Sequence, residues 1–231
     1  MSTESAIAID GPGAVGKTTV GRLLARRLGY LFIDTGSMYR ALTWLATERE
    51  IDASDEKLLQ RLAGDIEIDF VPVADGDEGS PERVMVNRRD LTEEIKQPEV
   101  DRQVSIVSKH PGVRRAMVSQ QRRLAAKGDV VLAGRDIGTV VLPDARLKLY
   151  LTASVEERAR RRHLELQALG YKDDYGDTLG SLKNRDKIDS ERETSPLKPA
   201  EDATLVDTDG LSPDQVVDQI LELWCPTSRG D

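Results

Sequence analysis

The sequence predicts an α/β fold in which a five-stranded parallel sheet is covered by helices on both faces. Three observations carry that expectation. Five short apolar runs, at 6–9, 30–33, 130–133, 147–151 and 204–206, are rich in Val, Ile, Leu and Ala, as buried parallel strands require. Stretches of helical period separate them. Each run also ends in a polar tip, namely Asp10, Asp34, Arg135 with Asp136, Thr152 and Asp207, and open parallel sheets bind ligands beyond the carboxyl ends of their strands.

Taken in order, the first run stops at Asp10-Gly11-Pro12-Gly13, a cluster of turn formers. From Thr18 the period changes: Val20, Leu23, Leu24 and Leu28 share one face and Arg22, Arg26 and Arg27 the other, until Gly29 offers a C-cap. The run at 30–33 is a second strand, Asp34-Thr35-Gly36-Ser37 is expected to turn, and a helix is expected over 38–49. Strands at 130–133 and 147–151 precede Gly134-Arg135-Asp136 and Thr152-Ala153-Ser154. After the last strand, Ser212-Pro213-Asp214 starts a helix with the apolar face Val216, Val217, Ile220, Leu221.

Two stretches interrupt the rhythm. Residues 66–112 alternate as Ile66-Glu67-Ile68-Asp69-Phe70 and Val84-Met85-Val86 around a Gly/Asp-rich turn at 74–79, which predicts a small β-rich insert, either a subdomain facing the substrate or a surface hairpin of no functional weight. Residues 154–199 are dominated by charge and contain Arg158, Arg160, Arg161, Arg162, Arg185 and Arg192. One domain is expected, with a core of about 1–65, 113–153 and 200–231, the insert at about 66–112 and an Arg-rich segment at about 154–199.

The 231 residues are 39% hydrophobic and 32% charged, ordinary for a globular protein, and 41 acidic against 33 basic residues leave a formal charge of −8. That balance argues against a nucleic-acid or anionic-membrane partner. Yet 23 of the cations are Arg and 10 Lys, and the guanidinium fork fits phosphate oxygens two at a time. The lone Cys225 excludes an internal disulfide, and His110 and His163 are too few for a zinc cluster. With no run of about 18 apolar residues and no signal-like start, a cytoplasmic monomer is expected.

Gly11-Pro12-Gly13-Ala14-Val15-Gly16-Lys17-Thr18 fits G-x-x-x-x-G-K-[ST] at every fixed position, between a strand and a helix. Backbone N–H groups of such a P-loop cradle the phosphates of ATP. Its lysine reaches the β and γ phosphates, and its Thr hydroxyl ligates Mg²⁺. Lys17 is expected in a solvent-open loop. A switch GTPase would carry Asn-Lys-x-Asp, whereas Asn184-Arg185-Asp186-Lys187 has those letters in the wrong order. A motor ATPase would carry a strand ending in Asp-Glu, and no strand here does. A small-molecule kinase is favoured. An acceptor phosphate is already anionic near neutral pH and needs charge neutralisation rather than a strong base, which suits a chain poor in His and rich in Arg.

Beyond the loop, Ile9-Asp10-Gly11-Pro12, Asp34-Thr35-Gly36-Ser37-Met38-Tyr39-Arg40, Gly134-Arg135-Asp136-Ile137-Gly138-Thr139-Val140-Val141, Arg185-Asp186, Asp189, Arg192 and Pro196-Leu197 together resemble the bacterial cytidylate (CMP/dCMP) kinases, over nearly the whole chain. The resemblance implies a P-loop kinase with a nucleoside-monophosphate-binding insert and a mobile lid. It implies ATP contacts along 11–18 and at Thr19, and a CMP phosphate clamp of Arg40, Arg135 and Arg192. Ser105, Arg114 and Asp136 would read the cytosine edge, Arg185 and Asp189 would hold the ribose, and lid arginines Arg158 and Arg162 would stabilise the transferring phosphoryl group. Thr35 stands where the family's turn often has Ser, keeping the hydroxyl at the substrate site.

Several positions have simpler readings. Arg160 and Arg161 are expected at the surface. Asp34 suits a helix cap as well as a ligand contact, Asp10 a brace for the loop, and Trp44 and Trp224 the core. His110, His163 and Cys225 are expected to be structural. Shikimate or dephospho-coenzyme A kinases, and a non-catalytic nucleotide-binding regulator, are the alternatives the residues leave open.

Overall fold

A computed structural model describes residues 5–71 and 82–224. The predicted turn at 74–79 and Cys225 lie outside the described residues. Five strands form one wholly parallel sheet: β1 (Ile7–Asp10), β2 (Leu31–Asp34), β6 (Val130–Gly134), β7 (Leu147–Thr152) and β8 (Thr204–Asp207), in the spatial order β2-β6-β1-β7-β8. The expected strands and parallel sheet are all present. Asp10, Asp34, Thr152 and Asp207 are the last residues of their strands, whereas Arg135 and Asp136 follow the end of β6, and Asp10 lies level with Gly134 on one side and Tyr150 on the other. The chain leaves β1 for the β2 edge and later crosses to β7 and β8, so the loop after β1 opens at the switch point where a ligand crevice forms.

Helices α1 (Lys17–Leu28) and α8 (Pro213–Trp224) cover one face, burying Leu24, Val217, Ile220 and Trp224 against Ile7, Ile9 and Leu149. Helices α2 (Thr35–Glu48), α3 (Glu56–Asp65), α4 (Pro98–Lys109) and α5 (Pro111–Ala125) lie on the other, where Met38, Leu42, Trp44, Leu59 and Met117 join Ala8, Ile33 and Leu132. Both tryptophans are core, as expected. Gly29 ends α1 in the left-handed region at φ 71°, its N–H reaching Ala25 and Arg26 carbonyls.

Two sequence expectations change. The stretch Asp34–Ser37 does not turn: α2 begins at Thr35, directly after the strand, because the Asp34 carboxylate accepts from Gly36 N at 2.9 Å and caps the helix. Turn-forming residues and N-cap residues are the same residue types. The insert is β-rich only in its first half, where β3 (Ile68–Val71), β4 (Arg83–Val86) and β5 (Arg89–Asp90) form an antiparallel sheet. Its second half is α4, started by Pro98 at its first position. The charged segment folds as α6 (Val155–Ala168) and α7 (Tyr175–Glu191), packed against each other over the crevice.

Candidate active site

The loop after β1 takes its shape from backbone conformations that few residues tolerate. Gly11 has φ 149°, and a Cβ there would stand 2.5 Å from the Leu151 carbonyl oxygen of β7. Gly16, at φ 97°, is the N-cap from which α1 springs, aiming the helix's unpaired N–H groups and positive end into the crevice. Ala14, at φ 58°, is strained in the left-handed region, a condition that concentrates at functional loops.

Lys17 is not solvent-open. It is 8% exposed, and its ammonium donates to the Pro12 carbonyl at 2.6 Å. Burial, and then the neighbouring Arg135, push its amine well below the ordinary lysine range, while Asp34 and Asp10 oppose the shift. The loop wraps its own lysine. Thr18 donates its hydroxyl to the second oxygen of Asp34 at 2.9 Å, so the Asp34 carboxylate both caps α2 and holds the P-loop threonine. Asp10 braces a different segment from the P-loop expected from the sequence: its two oxygens accept from Ile137 N and Gly138 N, each at 2.8 Å, fixing the π-helical turn Ile137–Val141 after β6. Burial raises its carboxyl to about 6 despite those bonds.

A cavity of about 680 Å³ runs from this loop across the sheet ends. Of the expected residues, Gly13, Ala14, Val15, Gly16, Lys17, Thr18 and Thr19 line its donor end. Thr35, Arg40, Ser105, Arg114, Arg135, Asp136, Arg162, Arg185, Asp189 and Arg192 line the rest. Gly11 and Pro12 shape the loop from behind. Eight cationic side chains and four carboxylates border this space, in a molecule whose overall charge is −8. The cavity is a local cationic focus for a polyanion.

At the far end, Arg114 is 2% and Asp136 4% exposed, and they form a buried ion pair. Arg114 also donates to the Ser108 carbonyl at 3.1 Å, its guanidinium 5.4 Å from the Tyr39 ring centroid. Ser105 lies on α4 and borders the same cavity. A buried, fixed donor–acceptor pair of this kind can read the hydrogen-bonding edge of a flat polar ring.

Between the two ends sits a frame of arginines held by aspartates. Asp189 accepts from Arg135 Nε at 2.8 Å and lies 3.7 Å from Arg192. Burial would raise its carboxyl, but Arg135, Arg192 and Arg185 outweigh burial and hold it below the carboxylate range. Arg192 keeps one buried terminal nitrogen without a protein partner. Burial lowers Arg185 to about 10, and its nearest acid is Asp101, at 3.8 Å, rather than Asp189.

The arginines of α6 divide by helix face. Arg158 is 5% exposed and pins the loop from behind, bonding the Gly13 carbonyl at 3.2 Å and Asp186 at 2.7 Å; it does not border the cavity. Arg162 does, and so does Arg161, which donates to the Thr208 carbonyl at 2.6 Å and to Val15 O at 3.4 Å. Arg161 therefore faces the cavity, not the surface expected from the sequence. Positions 158, 161, 162 and 165 share one helical face, a spacing that could have revealed it. Arg160 points out and pairs with Glu157. Asp101, which ion-pairs Arg40 and Arg162, gave no signal in the sequence.

A family model described as cytidylate kinase matches residues 7–225. The chain belongs to the cytidylate kinase family. It is 49% identical over 229 residues to a cytidylate kinase of Bacillus velezensis, covering 99% of this chain and all of the relative. It is 49% identical to that of Carboxydothermus hydrogenoformans, covering 94% and 96%, and 47% identical to that of Bacillus subtilis 168, covering 99% and 100%. Among solved structures, a shikimate kinase of Acinetobacter baumannii in complex with shikimate aligns over 98% of this chain and 96% of its own, with a TM-score of 0.49 and 17% identity. Membership in the cytidylate kinase family makes this chain a phosphotransferase acting on a phosphate group. No helix among the described residues is long and apolar enough to cross a membrane.

Proposed function

We propose that this chain transfers the γ-phosphoryl group of ATP to CMP and dCMP, giving ADP and the nucleoside diphosphate, with the site residues in the following roles. The P-loop amides, Lys17 and the α1 N-terminus hold the β and γ phosphates. Arg40, Arg135 and Arg192 clamp the CMP phosphate, and the unpartnered nitrogen of Arg192 is free to donate to it. Arg185 and Asp189 face the ribose. Arg114, Asp136 and Ser105 take the cytosine edge, and Asp136 with Arg114 as its partner supplies the acceptor that cytosine's amino group requires.

The acceptor oxygen needs little help from a base. A phosphate monoester sheds its second proton near about pH 6, so the nucleophile is anionic already and the obstacle is repulsion between two polyanions. Arg162, reaching in from α6, meets the charge that develops on the transferring group, in the manner of an arginine finger. Closure of the two lid helices excludes water that would otherwise compete with CMP for the phosphoryl group.

The donor set fits Mg²⁺. Thr18 and Asp34 present hard oxygens at the P-loop, and no group of three or more His, Cys, Asp or Glu that could hold a metal converges among the described residues. That suits an ion held jointly with substrate phosphates rather than in a protein cage. Bound there, held by the Thr18 hydroxyl together with the substrate phosphates, it would supply positive charge against the charge that develops in the transfer.

The observation that carries the reading is the placement of a buried Arg114–Asp136 pair at one end of a cavity whose other end is the P-loop, with arginines between. An ADP-release assay across CMP, dCMP, UMP, AMP and shikimate tests it. Turnover should be fastest with CMP and dCMP, and preferred turnover of AMP or shikimate would sink the assignment.

A further inference from the structure

Three arginines from three helices meet on one carboxylate. Arg40 of α2 and Arg162 of the lid helix α6 each form an ion pair with Asp101 of α4, through different oxygens. Arg185 of α7 approaches the first of these oxygens at 3.8 Å. The Asp101 side chain is 14% exposed. Arg40, Arg162 and Arg185 all border the cavity, whereas Asp101 does not. The carboxylate therefore stands behind the guanidiniums, out of the way of a ligand's phosphate.

We propose that Asp101 is a positioning residue of the phosphoryl-transfer site, an acid that holds the acceptor-phosphate arginine Arg40 and the lid arginine Arg162 at one point facing the reacting phosphates. Three like charges drawn together repel one another, and among the described residues no other acid lies within ion-pair range of both Arg40 and Arg162. A guanidinium carries five N–H donors in a rigid fork, so one edge can rest on Asp101 while another meets a phosphate oxygen. Burial opposes ionisation of Asp101, but Arg40, Arg185 and Arg162 outweigh it and keep the carboxyl below its usual range, so the anchor stays charged at working pH. The same contact ties the lid to the monophosphate-binding insert, which links lid position to the clamp that receives CMP.

The inference rests on Arg40 and Arg162 facing phosphates, and the experiment separates the two claims. Steady-state kinetics of Asp101→Asn should show kcat/KM for CMP reduced by about ten-fold or more, within the coupling range of residues in contact, with a raised KM for CMP, a lowered kcat, and a KM for ATP within about two-fold of wild type. Asp101→Glu, which keeps the charge, should recover part of the loss. In an Arg40→Ala/Arg162→Ala background the same Asp101→Asn change should cost less than about two-fold, because its effect passes through those arginines. An equal loss in both backgrounds would mean a merely structural role and overturn the proposal. So would tighter CMP binding with kcat unchanged, which would make Asp101 a competitor of the phosphate, or equal losses for the Glu and Asn variants. If Arg40→Ala and Arg162→Ala singly leave kcat/KM unchanged, the site reading falls and takes this inference with it. If they are impaired while Asp101→Asn is not, this inference alone falls.

Discussion

Replacing Lys17 with methionine should separate catalysis from stability with unusual clarity. The side chain keeps its length and loses its charge. Removing one preorganised donor from a reacting centre costs about 10²–10³ in kcat, and in the proposed role Lys17 brings a charged donor to the transferring group, so a loss of at least about 10³ is expected, equivalent to about 4 kcal/mol of barrier. Stability responds to opposing changes. The 2.6 Å bond to Pro12 O disappears, which costs about 1–3 kcal/mol, but so does a cation that is 8% exposed and driven by burial well below its normal pKa, relieving a cost of similar size. The net change should stay within about 1 kcal/mol, a Tm shift below about 4 °C for a chain of this size. Kinetics by ADP release and melting by circular dichroism measure both quantities on one sample. A kcat within about ten-fold of wild type would refute the role given to the loop, and a Tm drop beyond about 8 °C would show that the ammonium holds the loop together rather than serving the phosphates.

Two further substitutions follow from the same geometry. Gly11→Ala places a Cβ 2.5 Å from a backbone oxygen at φ 149° and should cost about 2 kcal/mol or more with a raised KM for ATP, whereas Gly29→Ala, with nothing within 4 Å, should cost about 1 kcal/mol and leave the kinetics alone; equal effects would show that the Gly11 contact does not shape the loop. Asp10, raised to about 6 from 3.8, keeps its proton in the folded state where the unfolded chain has lost it, so its contribution is full below about pH 4 and is lost as pH rises through 6. Urea unfolding should therefore show wild type losing about 3 kcal/mol relative to Asp10→Asn between pH 4 and 7; parallel profiles would contradict this. Asp101 and Asp189, held low by arginines, titrate with the opposite sign below that window.

The sheet was legible in the sequence because parallel strands buried on both faces must be short continuous apolar runs, and the P-loop because a phosphate cradle tolerates so few residues at its fixed positions. What stayed hidden has physical reasons. Asp34 through Ser37 carry residue types that serve turns and caps alike, and only the tertiary position of the strand end makes them a helix start. Lys17 looked exposed because it belongs to a loop, but the loop closes on it. The outward Arg160 and inward Arg161 are neighbours in sequence, and helical phase distinguishes them only once the face that meets Thr208 is known. Asp101 lies 61 residues from both Arg40 and Arg162, and an acid in the first turn of a helix has an ordinary local explanation in the helix dipole. The charge paradox resolves in the same way: −8 is a sum over the molecule, while among the charged side chains that border the cavity cations outnumber acids eight to four.

The most direct measurement is a crystal structure with CMP bound. The cytosine edge should lie within hydrogen-bonding distance of Arg114 and Asp136, with the CMP phosphate among Arg40, Arg135 and Arg192. A base that touches neither Arg114 nor Asp136, or a CMP phosphate seated in the P-loop, would contradict the assignment of the two ends of the cavity.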